Sequence, residues 1–208
     1  ELTRMGIAVS YVPSAELYTL GGHVKENTRL LLAETMSNPL LQVVDLQRLA
    51  AETKRAGIKL LIDNTFATPV ITKPLHLGAD MVIHSVTKYL SGHSDVTAGA
   101  VVAAKTEDIE RSKQIMRVYG LNLSPFESWL AARGLKTLNV RMKQHCFNAM
   151  AVAEFLRNHP KVKQVWYPGL AQHSQHKLAK GQGSGMFGGM LSFRLEDDLD
   201  TVNTFMRS

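Results

Sequence analysis

Short apolar runs alternate with helical patterns along the first half of the chain. Leu46, Leu49 and Ala50 fall at helical spacing after Asp45, and Gly57 supplies a left-handed stop, which predicts a helix. Near-continuous apolar runs predict strands at residues 6–12, 28–33, 58–62, 79–84 and 98–103. Unalternated strands separated by helices are typical of a parallel sheet covered on both faces. The pattern therefore predicts the α/β class, with a mostly parallel sheet and helices on both faces.

Helix signals dominate the middle of the chain. A helix is predicted over residues 107–117, and a second begins at Ser124. Ser124 is a suitable N-cap, Pro125 suits the first helical position, and Glu127 completes a capping box. Gly134 is expected to interrupt or bend this second helix.

In the last third of the chain, we place a change of domain along one long helix. An apolar stripe predicts that helix over residues 136–158, and strands are predicted at 162–167 and 189–194. We therefore expect a large domain at residues 1–139, followed at residues 140–208 by the beginning of a smaller α+β domain.

Composition narrows the possible partners. At 208 residues and 45% hydrophobic content the chain can bury a core, and no apolar run is long enough to predict a membrane span. The net charge of +6 is spread along the chain, so a nucleic-acid partner is not expected. Because Cys146 is the single cysteine, we expect a reducing compartment, the cytoplasm, and no structural zinc site held by cysteines.

Three polar residues lie just beyond the carboxyl ends of predicted strands: Asn38, Asp63 and Lys88. Ligands bind at the carboxyl edge of an open parallel sheet, so these side chains are expected to share one pocket. A carboxylate and a lysine there could form a structural ion pair. Lys88, however, has the hydroxyl residues Ser85 and Thr87 within three positions, and such donors suit the phosphate of a cofactor bonded to the lysine.

Each of these residue types suits pyridoxal phosphate (PLP). A lysine amine forms an imine with the PLP aldehyde and can afterwards move protons. A carboxylate such as Asp63 keeps the pyridine nitrogen protonated, so that the ring accepts electrons from a substrate carbanion. The residue types are therefore those that a PLP site centred on Lys88 would need, and a structural ion pair of Lys88 and Asp63 remains the alternative.

Several stretches resemble the Cys/Met-metabolism family of PLP enzymes, whose members include cystathionine γ-synthase, γ-lyase and β-lyase and methionine γ-lyase. The matching stretches are ETMSNP (34–39), DNTFATP (63–69), PLHLGAD (74–80), SVTKYLSGHSD (85–95), RGLKTL (133–138) and RM (141–142). They appear in the family's order and cover nearly the whole chain.

The resemblance implies a fold type I PLP domain and a role for each site residue. Lys88 would be the Schiff-base lysine, Asp63 the partner of the pyridine nitrogen, and Ser85 and Thr87 phosphate ligands. Asn38 would lie beside the phenolic oxygen of the ring. The implied activity is β- or γ-elimination, or γ-replacement, on a sulfur amino acid or an activated homoserine. The implied assembly is a homotetramer built as a dimer of dimers.

Other interpretations fit the same residues. The family's glycine-containing phosphate loop, ring-stacking tyrosine and carboxylate-binding arginine fall outside residues 1–208, so we expect an interior fragment with little activity by itself. The chain could be a catalytically silent scaffold, or Asp63 could bind Mg²⁺. Within the resemblance, Phe66 favours the γ-type branches, because bacterial β-lyases of the family often carry tryptophan at this position. No metal site is expected at His76, His84 and His93, because their spacing is not that of metal ligands.

Overall fold

The computed structural model describes residues 2–195 and 199–207, and its elements confirm the α/β class. The strands are β1 (Leu30–Glu34), β2 (Lys59–Asp63), β3 (Met81–Ser85), β4 (Gly99–Ala103), β5 (Val162–Trp166) and β6 (Ser192–Leu195). The α-helices are α1 (Leu46–Arg55), α2 (Thr68–Ile71), α3 (Thr106–Tyr119), α4 (Pro125–Leu135), α5 (Leu138–Arg157), α6 (His176–Gln182) and α7 (Leu199–Arg207). A 3₁₀ turn at Pro74–Leu77 precedes β3.

Four strands form one sheet in the order β1-β2-β3-β4. The first three are parallel, and β4 pairs with β3 in the antiparallel direction, so that Ile83 lies opposite Val101. The prediction of a mostly parallel sheet is therefore confirmed. Because β1, β2 and β3 run in the same direction, their carboxyl ends share one edge of the sheet.

One face of this sheet packs against α1. The Asp45 side chain accepts a hydrogen bond from the backbone N–H of Arg48 and so caps the start of the helix. Leu46 and Leu49 of α1 are fully buried against a cluster that includes Leu60 and Ile62 of β2. Burial of such a side chain stabilises the fold by roughly 1.5–3 kcal/mol.

The opposite face carries α3. Side chains alternate along a strand, so Lys59 and Leu61 project away from α1. Lys59 forms an ion pair with Asp108 of α3, which places that helix on the second face. The prediction of helices on both faces is therefore confirmed.

Helix α5 connects two buried clusters. Leu138 and Met142, near its beginning, pack with Met36 and Ala67 from the first half of the chain. Ala149 and Ala153, about two and three turns after Met142, pack instead with Tyr167 and Leu170, which follow β5. A second sheet, β5 paired antiparallel with β6, lies beyond. The division at residues 139 and 140 coincides with the beginning of α5 and stays a prediction.

The strand predicted at residues 6–12 is wrong. Ile7, Val9 and Tyr11 are exposed, and no strand is described in that part of the chain. An apolar run becomes a strand only where a neighbour satisfies its backbone N–H and C=O groups, and within the described residues none pairs with this segment. β6 also begins three residues later than predicted, and α2 and α6 were not predicted at all.

No helix in the described ranges is both long and apolar enough to cross a lipid bilayer.

Candidate active site

Asp63 and Ser85 end adjacent parallel strands and are joined through one hydroxyl. The Thr65 hydroxyl donates to Asp63 Oδ1 at 2.5 Å and accepts from the backbone N–H of Ser85 at 2.8 Å. The backbone N–H of Thr65 also donates to Asp63 Oδ1, at 3.0 Å. The structure thus brings together two predicted site residues and adds Thr65, which the sequence analysis missed.

The Asp63 carboxylate has its two oxygens in different surroundings. Oδ1 accepts both hydrogen bonds from Thr65, whereas no described residue donates to Oδ2. Asp63 itself is half-buried. A carboxylate held at one oxygen and open at the other suits a cationic ring N–H, because a charge-assisted hydrogen bond is about twice as strong as a neutral one.

Lys88 lies three residues after Ser85, in a single turn of π-helix at Val86–Leu90. Its φ and ψ of −89° and −124° depart from helical values inside that turn. Lys88 is exposed, so its amine is accessible to a small molecule at the carboxyl edge of the sheet.

Thr87 connects the Lys88 turn to the beginning of β4. Its hydroxyl accepts from the backbone N–H of Ala98 at 3.0 Å and lies 3.3 Å from the Ala98 carbonyl oxygen, to which it donates. A hydroxyl has a single proton. Donation to a phosphate would therefore replace the longer of these two contacts.

Asn38 lies in the loop after β1, at the same edge of the sheet, and its peptide bond to Pro39 is cis. Its backbone N–H donates to the Glu34 carboxylate at 3.3 Å. Asn38 is exposed, and within the described chain no hydrogen bond joins it to Asp63, Ser85 or Lys88. The structure therefore places Asn38 at the predicted edge but does not bring it into contact with those residues.

Arg141 of α5 anchors the Lys88 turn and was not singled out as a functional residue from the sequence. Its guanidinium donates to the backbone carbonyls of Tyr89 at 2.8 Å and Leu90 at 3.4 Å, directly after Lys88. It also donates to the Gly134 carbonyl of α4 at 2.8 Å. Partial burial lowers the pKa of Arg141 from its ordinary value. Two helices distant in sequence thus fix the turn that carries the lysine.

Gly134 permits α4 to approach the same turn. It lies in the last turn of α4, and a Cβ added there would lie 2.2 Å from the backbone oxygen of Ser91. The predicted interruption falls one residue early, because α4 continues to Leu135. The glycine is required by close packing against the Lys88 turn.

The backbone behind Asp63 is held by buried polar contacts. The Asn64 side chain is fully buried, accepts from the Thr35 hydroxyl at 2.7 Å and donates to the Thr72 carbonyl at 2.9 Å. His84, one residue before Ser85, is also buried. Burial lowers the pKa of His84, and the nearby charge of Asp63 opposes that shift.

Among residues 2–195 and 199–207, no group of three or more His, Cys, Asp or Glu side chains converges in a way that could hold a metal ion. The side chains at the edge offer instead an amine, a half-open carboxylate and hydroxyl groups. This set fits PLP, which needs an amine for its aldehyde, a carboxylate for its ring nitrogen and donors for its phosphate.

Comparison with known proteins identifies relatives over the whole chain. The family model for "Cys/Met metabolism PLP-dependent enzyme" matches residues 1–208. Cystathionine gamma-lyase from Bacillus subtilis is 44% identical over 99% of this chain and 54% of its own length. Cystathionine beta-lyase from Coxiella burnetii is 45% identical over 94% of this chain and 50% of its own length.

Comparison with a solved structure shows that the fold is shared as well. Cystathionine gamma synthase from Xanthomonas oryzae, in complex with aminoacrylate and cysteine, superposes with a TM-score of 0.89 at 41% identity, over 98% of this chain and 53% of that one. The fold type I assignment is confirmed. The chain spans about half the length of the relatives it matches.

Proposed function

The chain belongs to the Cys/Met metabolism PLP-dependent enzymes, and from that premise we propose that it carries the cofactor-binding centre of a trans-sulfuration enzyme. The activity is β- or γ-elimination, or γ-replacement, on a sulfur amino acid or an activated homoserine. Lys88 is the residue that bonds to PLP, and a homotetramer arranged as a dimer of dimers is the proposed assembly.

One observation carries this proposal. The Asp63 carboxylate, held by Thr65 at Oδ1 and open at Oδ2, lies at the same sheet edge as the exposed lysine three residues after Ser85. An incidental surface lysine would not need its turn fixed by Arg141 of a distant helix. The anchoring supports a lysine whose position matters for chemistry.

Each side chain has a definite task in this proposal. Bound PLP supplies an electron sink for negative charge that develops on the substrate α carbon. Lys88 Nζ would hold the cofactor and would take the proton from the substrate α carbon. Asp63 Oδ2 would accept the ring N–H and keep positive charge on the nitrogen. Ser85 and Thr87 would bind the phosphate, and Asn38 would lie beside the phenolic oxygen.

The names of the relatives support the proposed substrate class. They are named as lyases and a synthase of cystathionine, with identities of 44% for a γ-lyase and 45% for a β-lyase. Identities this similar do not distinguish a γ-lyase from a β-lyase. Phe66 favours γ chemistry, and the proposal includes both.

The test uses the full-length protein and a Lys88→Ala variant, each supplied with PLP. Wild-type protein should develop a visible absorbance band and release α-keto acid from cystathionine or methionine, or form cystathionine from an O-acylhomoserine and cysteine. Lys88→Ala should do neither. A band without turnover of any of these substrates would indicate a silent scaffold. Absence of the band, with binding of Mg²⁺ that Asp63→Asn abolishes, would support the magnesium alternative.

A further inference from the structure

We propose that Thr65 is a positioning residue: it fixes the rotation of the Asp63 carboxylate and couples it to the Ser85 end of β3. This inference rests on the proposed function, because it concerns how the chain presents Asp63 to PLP. Thr65 acts through Asp63, whose carboxylate it holds.

The hydrogen bonds give the Thr65 hydroxyl a single orientation. A hydroxyl has one proton and two acceptor lone pairs. The backbone N–H of Ser85 can only donate, so it occupies a lone pair at 2.8 Å. The carboxylate of Asp63 accepts, so the hydroxyl proton points to Oδ1 at 2.5 Å. Thr65 is 9% exposed, and competition from water is therefore small.

Two donors on one oxygen fix the carboxylate plane. The terminal torsion of an aspartate is broad and roughly two-fold, so a free Asp63 would exchange its oxygens and tilt. The backbone N–H of Thr65 and its hydroxyl both reach Oδ1. Together they define which oxygen is left open, and Oδ2 becomes the acceptor for the ring nitrogen.

The backbone carrying this pair is itself rigid. Asn64, between Asp63 and Thr65, is held by the Thr35 hydroxyl and by the Thr72 carbonyl inside the core. Side-chain directions therefore alternate, with Asn64 projecting into the core and Asp63 toward the site. A change at the Thr65 hydroxyl would affect the carboxylate more than the local backbone.

The same hydroxyl relates the two ends of the cofactor site. Ser85, a proposed phosphate ligand, donates its backbone N–H to Thr65, and Thr65 donates to the proposed ring-nitrogen partner. The separation between the phosphate end and the nitrogen end of the site is therefore set by consecutive hydrogen bonds. Displacement of about 1 Å in such a site can cost a hundredfold in rate.

The test compares three variants of the full-length enzyme. Thr65→Val removes the hydroxyl at nearly constant volume, Thr65→Ser keeps it, and Thr53→Val is the matched control. Thr53 is likewise buried, but its hydroxyl donates only to the Leu49 and Ala50 carbonyls of α1, away from the site.

We expect Thr65→Val to lower kcat about 10- to 100-fold, the range for loss of a hydrogen bond to a charged group, with KM changed less than about threefold. The visible circular dichroism per bound PLP should fall as well, since that signal reports a fixed ring orientation. Thr65→Ser should restore most of both quantities. Thr53→Val should leave both unchanged.

A purely structural role for Thr65 would give a different result. Thr65→Val would then lower the melting temperature of the apo protein while kcat and the dichroism per bound PLP remained at wild-type values, and the inference would be wrong. If the wild-type protein neither bound PLP nor turned over, the proposed function would fail first, and the two failures are thus distinguishable.

Discussion

The guanidinium of Arg141 donates a 2.8 Å hydrogen bond to the backbone carbonyl of Tyr89, the residue that follows Lys88. Fifty-two residues separate the two in sequence. The relationship makes the position of the Lys88 turn depend on the packing of α5 as well as on the sheet.

Replacement of Arg141 by Met should therefore destabilise the protein and loosen the turn. Hydrogen bonds to a charged group contribute roughly 1.5–3 kcal/mol each, and a loss of about 2 kcal/mol is expected because Arg141 is only partly buried. Urea unfolding measures this loss, and a PLP titration should show weaker binding. Arg111→Met is the control, since Arg111 is exposed on α3 and bonds to Gln114. Equal stability of the two variants would contradict the anchoring role.

Gly134→Ala should be destabilising even though alanine favours helices. The added Cβ would lie 2.2 Å from the Ser91 oxygen, which is backbone and cannot move alone. Overpacking of this kind costs about 1–3 kcal/mol. Gly181→Ala in α6 meets nothing within 4 Å and should be neutral or stabilising by about 0.5–1 kcal/mol. The free energy of unfolding should therefore decrease in Gly134→Ala and should not decrease in Gly181→Ala. A similar gain in both variants would disprove the close approach.

Asp63→Asn should reduce turnover far more than it reduces PLP retention. Removing a preorganised charge costs roughly 2.7–4 kcal/mol in the transition state, or about 100- to 1000-fold in kcat, while the phosphate contacts survive. Steady-state kinetics and a PLP titration measure the two effects separately. Asp108→Asn, which alters a carboxylate paired with Lys59 on α3, is the matched control. Unchanged turnover in Asp63→Asn would exclude the ring-nitrogen role.

His84 should make the folded state sensitive to acid. Burial lowers its pKa in the folded protein below the ordinary value of 6.5, so the unfolded chain takes up the proton first as the pH falls. The stability associated with neutral His84 is present above about pH 6.5 and is lost as the pH falls below that value. Urea unfolding between pH 5 and 8 should show this slope.

His84→Gln should flatten that slope. His173, whose pKa is also lowered, chiefly by burial, contributes in the same direction, so His173→Gln serves to separate the two. A slope that is identical in wild type and His84→Gln would show that His84 does not titrate on unfolding.

Features that depend on residues close together in the sequence could be predicted. The cap at Ser124 is confirmed by its hydrogen bond from the Glu127 N–H, and the strands that end at Asp63 and Ser85 lie close to their predicted positions. Each depends on residues within a few positions of each other. The pair of Asp63 and Thr65 has the same local character, so the spacing of a carboxylate and a hydroxyl two residues apart could have indicated it.

Long-range features were not predictable from one sequence. The contact of Arg141 with Tyr89 and the approach of Gly134 to Ser91 depend on how helices pack on the sheet, and no local spacing encodes that. Residues 6–12 illustrate the converse, because their apolar pattern resembles a strand while no described strand pairs with them. The roles of Lys88, Asp63, Ser85, Thr87 and Asn38 toward PLP stay predictions, since they concern contacts with a bound group.

Lys88 is the proposed site of attachment of the cofactor, and chemical trapping would identify that site. Full-length protein saturated with PLP is reduced with borohydride, digested and mapped by mass spectrometry. The pyridoxyl modification is expected on the peptide containing Lys88. Lys88→Ala is expected to lose this modification and nearly all turnover. Modification of a different lysine in the wild-type protein, or turnover that survives in Lys88→Ala, would contradict attachment at Lys88.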